Sequence, residues 1–458
     1  MKFKPPSWAS GTSIALLSAD ILVLILCFNL AYWIRLGDWV EGFVTWSMFW
    51  PLSLVLIGLY IFGAYQPSAQ TPVARFVARA VMGIGVAGVL TSLFVYFSGY
   101  WGKDLLFGRG IFSIALLLYT PSAAFMRYVA DWLEHQRATR LRWLVLGAGA
   151  QAELLYNDYR ESGLGGDILF APRTESERNT SPLPLAPFLA EEFTEEEAVR
   201  FTAVVISFEP PLPDEFVKKL MHVRFTGTRI YDFVGFYENV WFKVPVIHTR
   251  SGWFVFSDGF ELLHNPIGLR VKRVFDVALA TVMIVLSVPF LLIIPAIVRL
   301  DSKGPAIFHQ RRRGENGEEF TVYKFRTMRE GAQTSGAWTF HNDPRITRVG
   351  RVIRLVRLDE LPQLLNVLRG DMSFIGPRPE ATELSDLYER EIPFYRLRYL
   401  VKPGITGWAQ VMYRYGASVE EAREKLQYDL YYAKSYSLLL DLVIFLKTLR
   451  VVLSGRGR

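Results

Sequence analysis

Four apolar segments in the first third of the chain constrain its fold more than any other feature. They run from about Ile14 to Ile34, Thr45 to Tyr65, Phe76 to Phe97 and Ile111 to Val129. Each approaches the ~20 residues that a helix needs to cross the hydrocarbon core of a bilayer. Hydrophobic residues make up 51% of the 458-residue chain, as expected for a protein with membrane segments. Residues 1–135 therefore predict a bundle of four transmembrane helices.

The basic residues between these segments predict the orientation of the bundle. They are Arg75 and Arg79 in the second connection and Arg127, Arg137, Arg140 and Arg142 after the fourth segment. The connections around Asp38 and Lys103 carry little positive charge. Because basic loops stay in the cytoplasm, we expect both ends of the bundle there. Asp20, inside the first segment, is either a functional group or a structural one that faces a neighbouring helix.

The net charge of +7 is compatible with nucleic acid or with an anionic membrane surface as partner. Long apolar spans with basic flanks favour the membrane. No zinc-finger pattern or RNA-binding aromatic signature is visible, so no nucleic-acid partner is expected. Cys27 is the only cysteine, which excludes a disulfide within the chain. The first apolar segment is long enough to remain as an anchor, so we expect no cleaved signal peptide.

A short apolar strand, a glycine turn and a helix follow the bundle in RWLVLGAGAQAELL. The pattern Gly147-x-Gly149-x-x-Ala152 is typical of a Rossmann-type start. No acidic residue for a ribose hydroxyl ends a second strand, because residues 168–188 are Pro- and Ser-rich and predict a loop. TAVVIS (Thr202 to Ser207) and TRIYDF (Thr228 to Phe233) predict buried strands. We expect a degenerate Rossmann-like α/β module at 140–262, used for regulation or assembly. An NAD-dependent membrane oxidoreductase is the alternative.

Another uncharged segment runs from Val277 to Val298, with basic residues on both sides. A crossing helix would move everything after it to the outside, yet the following residues are rich in Arg and Lys. Pro289 interrupts the segment, so a helix near 274–299 that enters, bends and returns to the same face fits better than a fifth crossing. The apolar stretch from Ser435 to Leu453 predicts either an interfacial helix or a core helix.

Two adjacent carboxylates, Asp359 and Glu360, stand in a strongly basic stretch. The arginines are Arg354, Arg357 and Arg378. VGRVIRLVRL predicts a helix before the acids, Pro362 fits the first turn of a second helix, and Gly370 can end it. Such a helix start suits an ionised carboxylate, a phosphate, or both bridged by a cation. When the acid pair is taken alone, helix capping and ordinary ion pairing are the favoured explanation.

Several long motifs in order resemble the bacterial sugar transferase family, the monotopic polyprenyl-phosphate phosphoglycosyl transferases. They are KRVFD (Lys272 to Asp276), GPAIFHQRRRGENGEEFTVYKFRTM (Gly304 to Met328), DELPQLLNVLRGDMSFIGPRP (Asp359 to Pro379) and KPGITGWAQV (Lys402 to Val411). The resemblance implies a mainly α-helical catalytic domain at 266–458, joined in long members to a four-span bundle and a Rossmann-like module. It also implies a re-entrant helix, usually broken at a Ser-Pro pair, for which this chain has Ser287 and Pro289.

The reaction implied by the resemblance transfers a sugar 1-phosphate from a UDP-sugar to undecaprenyl phosphate and releases UMP. This is the first membrane step in assembly of an exopolysaccharide, capsule or O-antigen type glycan. The family is bacterial, so we expect a multi-pass protein of the inner membrane with a cytoplasmic catalytic domain. By the same analogy a homodimer is expected. A nonenzymatic membrane scaffold that regulates glycan export is a further alternative.

The resemblance also assigns roles to individual residues. Asp359 matches the nucleophile that forms a covalent phosphosugar intermediate, and nearby positive charge is expected to keep it ionised. Glu360 matches the second acid, as general base or as metal ligand, and Mg²⁺ is expected on the two carboxylates. Arg354, Arg378 and Arg414 are candidates for binding substrate phosphate; the family's AQVNGR is AQVMYR here, which weakens the assignment of Arg414. Lys324 and Arg326 are candidates without an assigned role.

Overall fold

The computed structural model describes eleven stretches of the chain. These are residues 11–40, 42–65, 73–98, 109–138, 141–162, 164–208, 212–249, 251–260, 265–329, 343–413 and 418–453. The chain divides into two compact units, Met1–Phe236 and Tyr237–Arg458.

The first unit begins with four apolar helices that share one hydrophobic core. They are α1 (Gly11–Leu36), α2 (Trp46–Phe62), α3 (Val73–Ser98) and α4 (Arg109–Ala138). Leu24, Val55, Ile84 and Tyr119, one from each helix, are buried together. By length and composition α1, α3 and α4 can cross a membrane, whereas α2 is apolar but shorter. The predicted bundle therefore contains three helices of membrane-spanning length and one shorter apolar helix.

A buried ion pair joins α1 to α4 inside this bundle. Arg127 places Nη1 2.6 Å from Oδ1 and Nη2 2.5 Å from Oδ2 of Asp20. The Tyr119 hydroxyl donates to the same carboxylate over 2.6 Å. Both charged side chains are fully buried. Because bidentate geometry and a third hydrogen bond satisfy the carboxylate, a structural role for Asp20 is favoured over a functional one.

A four-stranded parallel sheet completes the first unit, with the strand order β2-β1-β3-β4. Its strands are β1 (Arg142–Leu146), β2 (Asp167–Ala171), β3 (Ala203–Ile206) and β4 (Arg229–Asp232). The helices are α5 (Ala150–Ser162), α6 (Glu175–Thr180), α7 (Glu195–Ala198), α8 (Asp214–Phe225) and α9 (Phe233–Val240), which runs across the boundary between the units. The strands predicted around residues 202–207 and 228–233 are present, but only β3 is buried as predicted, whereas β4 is partly exposed. The loop predicted at 168–188 is wrong, because the apolar residues before Pro172 pair with β1 and α6 follows.

The second unit combines long helices with a hairpin and a short strand pair. Its elements are α10 (Ser251–Phe256), α11 (Pro266–Asp301), β5 (Ile307–Arg313), β6 (Glu319–Phe325), α12 (Arg348–Leu355), α13 (Leu364–Arg369), β7 (Ser373–Ile375), α14 (Thr382–Glu391), β8 (Gly404–Thr406), α15 (Trp408–Met412), α16 (Val419–Lys434) and α17 (Leu438–Leu453), with 3-10 helices at Val246–His248, Glu315–Gly317, Leu358–Gln363 and Tyr395–Leu400. Strands β5 and β6 are antiparallel, and β7 and β8 are parallel.

Residues 237–260 lie in the second unit rather than with the sheet. The Trp408 indole Nε1–H donates to the carbonyl of Phe242 over 3.0 Å. Lys434 lies 2.7 Å from Glu238 in an ion pair. The first compact unit ends at Phe236. The division of the chain into three functional regions stays a prediction.

Helix α11 is continuous over 36 residues, including Ser287 and Pro289. Any bend at the proline therefore lies within a helix and not at an interruption of it, and the re-entrant path stays a prediction. The N-terminal part of α11 is fastened to its own unit through the KRVFD motif. Lys272 forms a buried ion pair of 2.9 Å with Asp441, and Asp276 accepts the backbone N–H of Phe374 over 3.0 Å.

Helix α17 combines the two alternatives that the sequence left open. Leu440, Asp441 and Ile444 are buried against the rest of the unit, as in a core helix. Leu439 and Leu442, on other sides of the helix, are 61% and 46% exposed. One face is thus a core face, and the other presents apolar side chains, as an interfacial helix does.

Two glycine-containing motifs cross at very short range beside the strand pair. A side chain at Gly376 would collide with the carbonyl oxygen of Lys402 and lie 3.0 Å from the backbone nitrogen of Gly404. A side chain at Gly407 would collide with the carbonyl oxygen of Gly376. IGPRP and KPGITG therefore require glycine where their backbones meet. This crossing sets the position of the backbone segment that carries Arg378.

We predict that Gly376→Ala destabilises the second unit by about 3 kcal/mol, because a methyl group cannot fit between two backbones. Thermal unfolding in detergent would show a lower midpoint. The matched control is Gly252→Ala in α10, where no atom lies within 4 Å of the added carbon. It should be neutral or slightly stabilising. Equal midpoints for both variants would contradict the assignment.

Candidate active site

The two carboxylates lie on the short 3-10 helix Leu358–Gln363, directly after a reversal of the chain. The side chain of Thr347 accepts the backbone N–H of Gly350 and starts α12, which ends at Leu355. Arg357 then adopts a left-handed conformation with φ of 56°, which costs roughly 1–2 kcal/mol for a residue with a side chain. The predicted first helix thus ends earlier than expected. The predicted end at Gly370 is confirmed by its left-handed φ of 98°.

Glu360 is buried among three cations. Its Oε1 lies 2.7 Å from Arg378 Nη2, 3.6 Å from Arg357 Nη1 and 3.7 Å from Lys324 Nζ. Burial raises the pKa of Glu360, but Arg378, Lys324 and Arg357 together hold it well below its usual range. Glu360 therefore stays ionised and holds together cations from three different segments.

Asp359 is half-buried and has a different environment. Within the described part of the chain its carboxylate accepts no hydrogen bond and forms no ion pair. Burial and then the charge of Glu360 raise the pKa of Asp359 to about 6, against the opposing effects of Lys324 and two arginines. The shift is opposite in sign to that expected from nearby positive charge alone. Asp359 is still mainly ionised at neutral pH and is available to bind or attack.

The β5–β6 hairpin places Lys324 in the candidate site. The register pairs Phe308 with Lys324 and Gln310 with Val322, so Lys324, Gln310 and Arg312 share one face. Burial and then Arg378 lower the pKa of Lys324 to about 7, although Glu360 raises it. The other candidate of this motif, Arg326, is buried instead and donates to the backbone and hydroxyl oxygens of Ser302.

A second layer of residues holds the Pro377-Arg378-Pro379 segment. Arg398 Nη2 donates to the carbonyl of Arg378 over 2.8 Å and to Asp429 over 2.8 Å. Arg312 donates to the carbonyl of Pro379. The site residues predicted from the sequence did not include Gln310, Arg312, Arg398 and Asp429. Strand alternation around the turn of the hairpin could have placed Gln310 and Arg312 with Lys324, whereas no local pattern pairs Arg398 with Asp429.

The remaining predicted residues have different outcomes. Arg354, in the last turn of α12, lies near enough to lower the pKa of Asp359. Arg378 forms the shortest ion pair with Glu360. Arg414 lies outside the described residues. No group of three or more His, Cys, Asp or Glu side chains with metal-binding geometry occurs among the described residues.

The glycine turn of the parallel sheet already holds a carboxylate. Gly147 adopts φ of 110°, as a tight turn requires. Glu177 Oε2 accepts the backbone N–H of Arg173 over 2.7 Å and that of Ala148 over 3.4 Å. Strand β2 ends at Ala171, without an acidic residue for a ribose hydroxyl. This turn therefore does not favour the dinucleotide alternative.

The sequence of this chain is similar to those of a known protein family. The family model described as "Bacterial sugar transferase" matches residues 267–455. A UDP-glucose:undecaprenyl-phosphate glucose-1-phosphate transferase of Caulobacter vibrioides is 45% identical over 201 residues, which are 43% of this chain and 74% of the relative. The chain belongs to the bacterial sugar transferase family. The family predicted from the sequence motifs is thus confirmed.

Two further relatives of this bacterial sugar transferase differ in length and in name. A UDP-N-acetylgalactosamine-undecaprenyl-phosphate N-acetylgalactosaminephosphotransferase of Aeromonas hydrophila is 40% identical over 262 residues, 57% of this chain and 61% of the relative. An exopolysaccharide production protein of Rhizobium leguminosarum bv. phaseoli is 41% identical over 197 residues, 41% of this chain and 98% of the relative. The family match at residues 267–455 includes the acid pair and the surrounding cations.

We predict that Arg378→Gln destabilises the second unit by about 2 kcal/mol, because it leaves Glu360 buried with only the two more distant cations. The double variant Arg378→Gln/Glu360→Gln should recover part of this loss. Thermal unfolding in detergent measures both effects. Arg396→Gln is the control, since its side chain is 79% exposed and its pairing with Glu389 is worth little. Additive losses in the double variant would show that the two side chains are not coupled.

Proposed function

We propose that this bacterial sugar transferase transfers a sugar 1-phosphate from a UDP-sugar to undecaprenyl phosphate and releases UMP. The reaction would be the first membrane step in assembly of an exopolysaccharide or a related surface glycan. The observation that carries the proposal is the contrast within the acid pair, where Glu360 is tied to three cations and Asp359 has none as a direct partner. The names of the relatives in Aeromonas and Caulobacter support the substrate classes.

The proposed mechanism has two displacements at one phosphorus atom. The ionised carboxylate of Asp359 attacks the phosphorus bonded to the sugar, and the bond to the bridging oxygen breaks. UMP leaves with that electron pair, and an aspartyl phosphosugar remains. A phosphate oxygen of the lipid then attacks the same phosphorus, and the carboxylate of Asp359 leaves. The first step thus requires only the soluble substrate, and the second only the lipid.

The cations around Glu360 suit the charge of a diphosphate. Lys324 and Arg378 both lie within 4 Å of this carboxylate, and their side chains are each 16% exposed. In this half-buried place they can stabilise the charge that accumulates on the leaving phosphate. Since the pKa of Glu360 is well below its usual range, Glu360 is a poor proton acceptor near neutral pH. We assign it to positioning Lys324 and Arg378 rather than to general base catalysis.

The residues of the site fit a magnesium ion that is held mainly by substrate oxygens. Mg²⁺ commonly binds one or two carboxylates together with substrate phosphates. Asp359 has a carboxylate with no direct partner among the described residues, and all three cations approach the same oxygen of Glu360, Oε1. Asp359, with Oε2 of Glu360, would hold the ion. When bound, it would neutralise charge on the diphosphate.

The arrangement around the membrane is part of the proposal. Helix α11 would enter and leave the bilayer on the cytoplasmic side of the inner membrane, so that the acid pair meets the lipid phosphate at the surface. The four-helix bundle would add further anchoring. The parallel sheet would be a degenerate Rossmann-like module for regulation or assembly, because Glu177 occupies the turn where a phosphate would bind. A homodimer is proposed by analogy with the family.

We predict that Asp359→Asn abolishes both turnover and the covalent intermediate, because an amide cannot replace the nucleophilic carboxylate. Glu360→Gln should slow turnover severely but still permit the intermediate to form. The assay incubates purified protein with radiolabelled UDP-sugars and undecaprenyl phosphate, and follows lipid product and UMP. Asp258→Asn, at an exposed position, is the control. A panel of UDP-sugars is needed because the relatives' names include both glucose and N-acetylgalactosamine.

Two outcomes of this assay would contradict the proposal. If wild-type protein yields neither labelled lipid nor UMP with any sugar of the panel, the chain is not the proposed transferase, and a scaffold becomes the better explanation. If Asp359→Asn retains near-normal turnover, the assignment of the nucleophile is wrong.

We predict that kcat/KM for the UDP-sugar is highest between about pH 6 and pH 7. Below pH 6 the raised pKa of Asp359 means that the nucleophile becomes protonated. Above pH 7 Lys324, with its pKa lowered to about 7, loses the charge that attracts the diphosphate. Lys324→Arg should remove only the alkaline limb, because arginine remains charged. Lys303→Arg, at an exposed position, should leave both limbs in place. An unchanged alkaline limb in Lys324→Arg would exclude Lys324 as its origin.

A further inference from the structure

Each backbone carbonyl of the segment 377–380, which carries Arg378, accepts a hydrogen bond from another part of the second unit. The donors are the backbone N–H of Gly404 to Pro377 (2.9 Å), Arg398 Nη2 to Arg378 (2.8 Å), Arg312 Nη1 to Pro379 and the backbone N–H of Arg313 to Glu380 (3.4 Å). Two of the four residues are prolines, which have no N–H to donate. The position of this segment therefore depends on the groups that bind its carbonyls.

Arg398 is the donor that binds the carbonyl of Arg378 itself. Its side chain is 6% exposed, and Nη2 lies 2.8 Å from that carbonyl oxygen and 2.8 Å from Oδ2 of Asp429. Nη1 lies 2.5 Å from the hydroxyl oxygen of Tyr395, to which it donates. Asp429, in α16, is buried as well. The guanidinium is thus oriented by an acid and a hydroxyl, and it holds the backbone of Arg378.

The charge of Arg398 is used inside the protein. Asp429 forms a direct ion pair with it. In the described part of the chain, neither Asp359 nor Glu360 has a hydrogen bond or an ion pair with Arg398. A buried and paired cation of this kind is a poor binding group for a substrate phosphate. Its contact with the candidate site is the carbonyl of Arg378.

The backbone of Arg378 matters because its side chain has a defined place in the site. Arg378 Nη2 lies 2.7 Å from Oε1 of Glu360, and its charge opposes the rise in the pKa of Asp359. A shift of the Arg378 carbonyl also moves the Cα atom from which the guanidinium extends. Misplacement of a substrate-positioning group by about 1 Å can lower a rate about a hundredfold.

We propose that Arg398, oriented by Asp429, is a positioning residue that sets the guanidinium of Arg378 against Glu360 and the leaving phosphate. The part that concerns the leaving phosphate rests on the proposed function. Arg398 exchanges no proton and touches no substrate. Since Arg378 is assigned to the charge that accumulates in the first displacement, loss of Arg398 should lower kcat more than it changes the KM for the UDP-sugar.

Arg398→Lys in the purified full-length protein tests this role, because lysine keeps a charge for Asp429 but lacks the planar guanidinium that reaches three oxygens together. With the UDP-sugar that wild type uses best, kcat for UMP release should fall about a hundredfold and KM should change less than about threefold. Asp429→Asn should lower kcat about tenfold, since the amide accepts a hydrogen bond but carries no charge. Arg396→Lys, on the same 3-10 helix and 79% exposed, is the matched control and should behave as wild type.

A positioning role and a purely structural one differ in the double variant Arg398→Lys/Arg378→Gln. If Arg398 acts through Arg378, kcat of the double variant equals that of Arg378→Gln alone, because no guanidinium is left to position. General damage to the fold would lower kcat by the same factor in both backgrounds, and that result would overturn the inference. An unchanged kcat in Arg398→Lys, or an equal fall in Arg396→Lys, would overturn it too.

Thermal unfolding in detergent gives a readout that does not depend on catalysis. The coupling between Arg378 and Glu360, measured from the two single variants and Arg378→Gln/Glu360→Gln, should fall by about half or more when the cycle is repeated with Arg398→Lys. An unchanged coupling would show that Arg398 does not position the guanidinium. If wild type releases no UMP but the coupling falls, the proposed function is refuted and the positioning role stands. If Arg398→Lys does not fold, the same cycle with Asp429→Asn decides between these outcomes.

Discussion

The ionised carboxylate of Glu360 is the interaction on which the candidate site depends. It draws together Lys324 from the β5–β6 hairpin, Arg357 from the reversal after α12, and Arg378 from the segment after β7. These segments are far apart in sequence, and each would repel the others electrostatically without a central anion. A buried acid among three cations is costly to assemble, yet once formed it fixes their positions relative to Asp359.

The same arrangement explains why two adjacent acids differ so much. Glu360 takes up the direct contacts with the cations, so its pKa is held well below its usual range. Burial and the negative charge of Glu360 then have the largest effects on Asp359, and they raise its pKa to about 6. A carboxylate with a raised pKa is also a better nucleophile than a strongly stabilised one. The chemistry of Asp359 thus depends on Glu360, which keeps the cations nearby but forms the direct ion pairs with them itself.

Local patterns in the sequence predicted local structure well. The end of α13 at Gly370, the strands around Val204 and Ile230, and the apolar helices of the bundle were all predicted from residues close together in the chain. The loop predicted at 168–188 was wrong, because its prolines and serines follow a short buried strand that pairs with β1. Pairing with β1 stabilises this strand, and the local sequence pattern carries no information about that partner.

The candidate site was predicted only in part for the same reason. Asp359, Glu360 and Arg378 stand in one motif, so the sequence brings them together. Lys324 was predicted as a candidate without a role, and the ion pair of Arg398 with Asp429 was not predicted. Only the tertiary fold brings these residues to their partners. The predicted ionisation of Asp359 considered attraction by arginines and not the larger effects of burial and of Glu360. Charged residues can be counted in a sequence, whereas the distance of each from Asp359 is known only from the structure.

The contacts of Lys272 and Asp276 hold α11 in a fixed position relative to the acid pair and its cations. Lys272 and Asp276 are charged residues at one end of a helix that is otherwise suited to a membrane, and both are buried against the unit that carries the acid pair. Lys272 reaches Asp441 of α17, whose other sides expose leucines. Two helices with exposed apolar faces are thus joined by a buried ion pair, so a bilayer that takes up one also orients the other. The proposed site for a soluble diphosphate and a lipid phosphate would need this rigidity, because the proposed lipid substrate cannot leave the membrane surface.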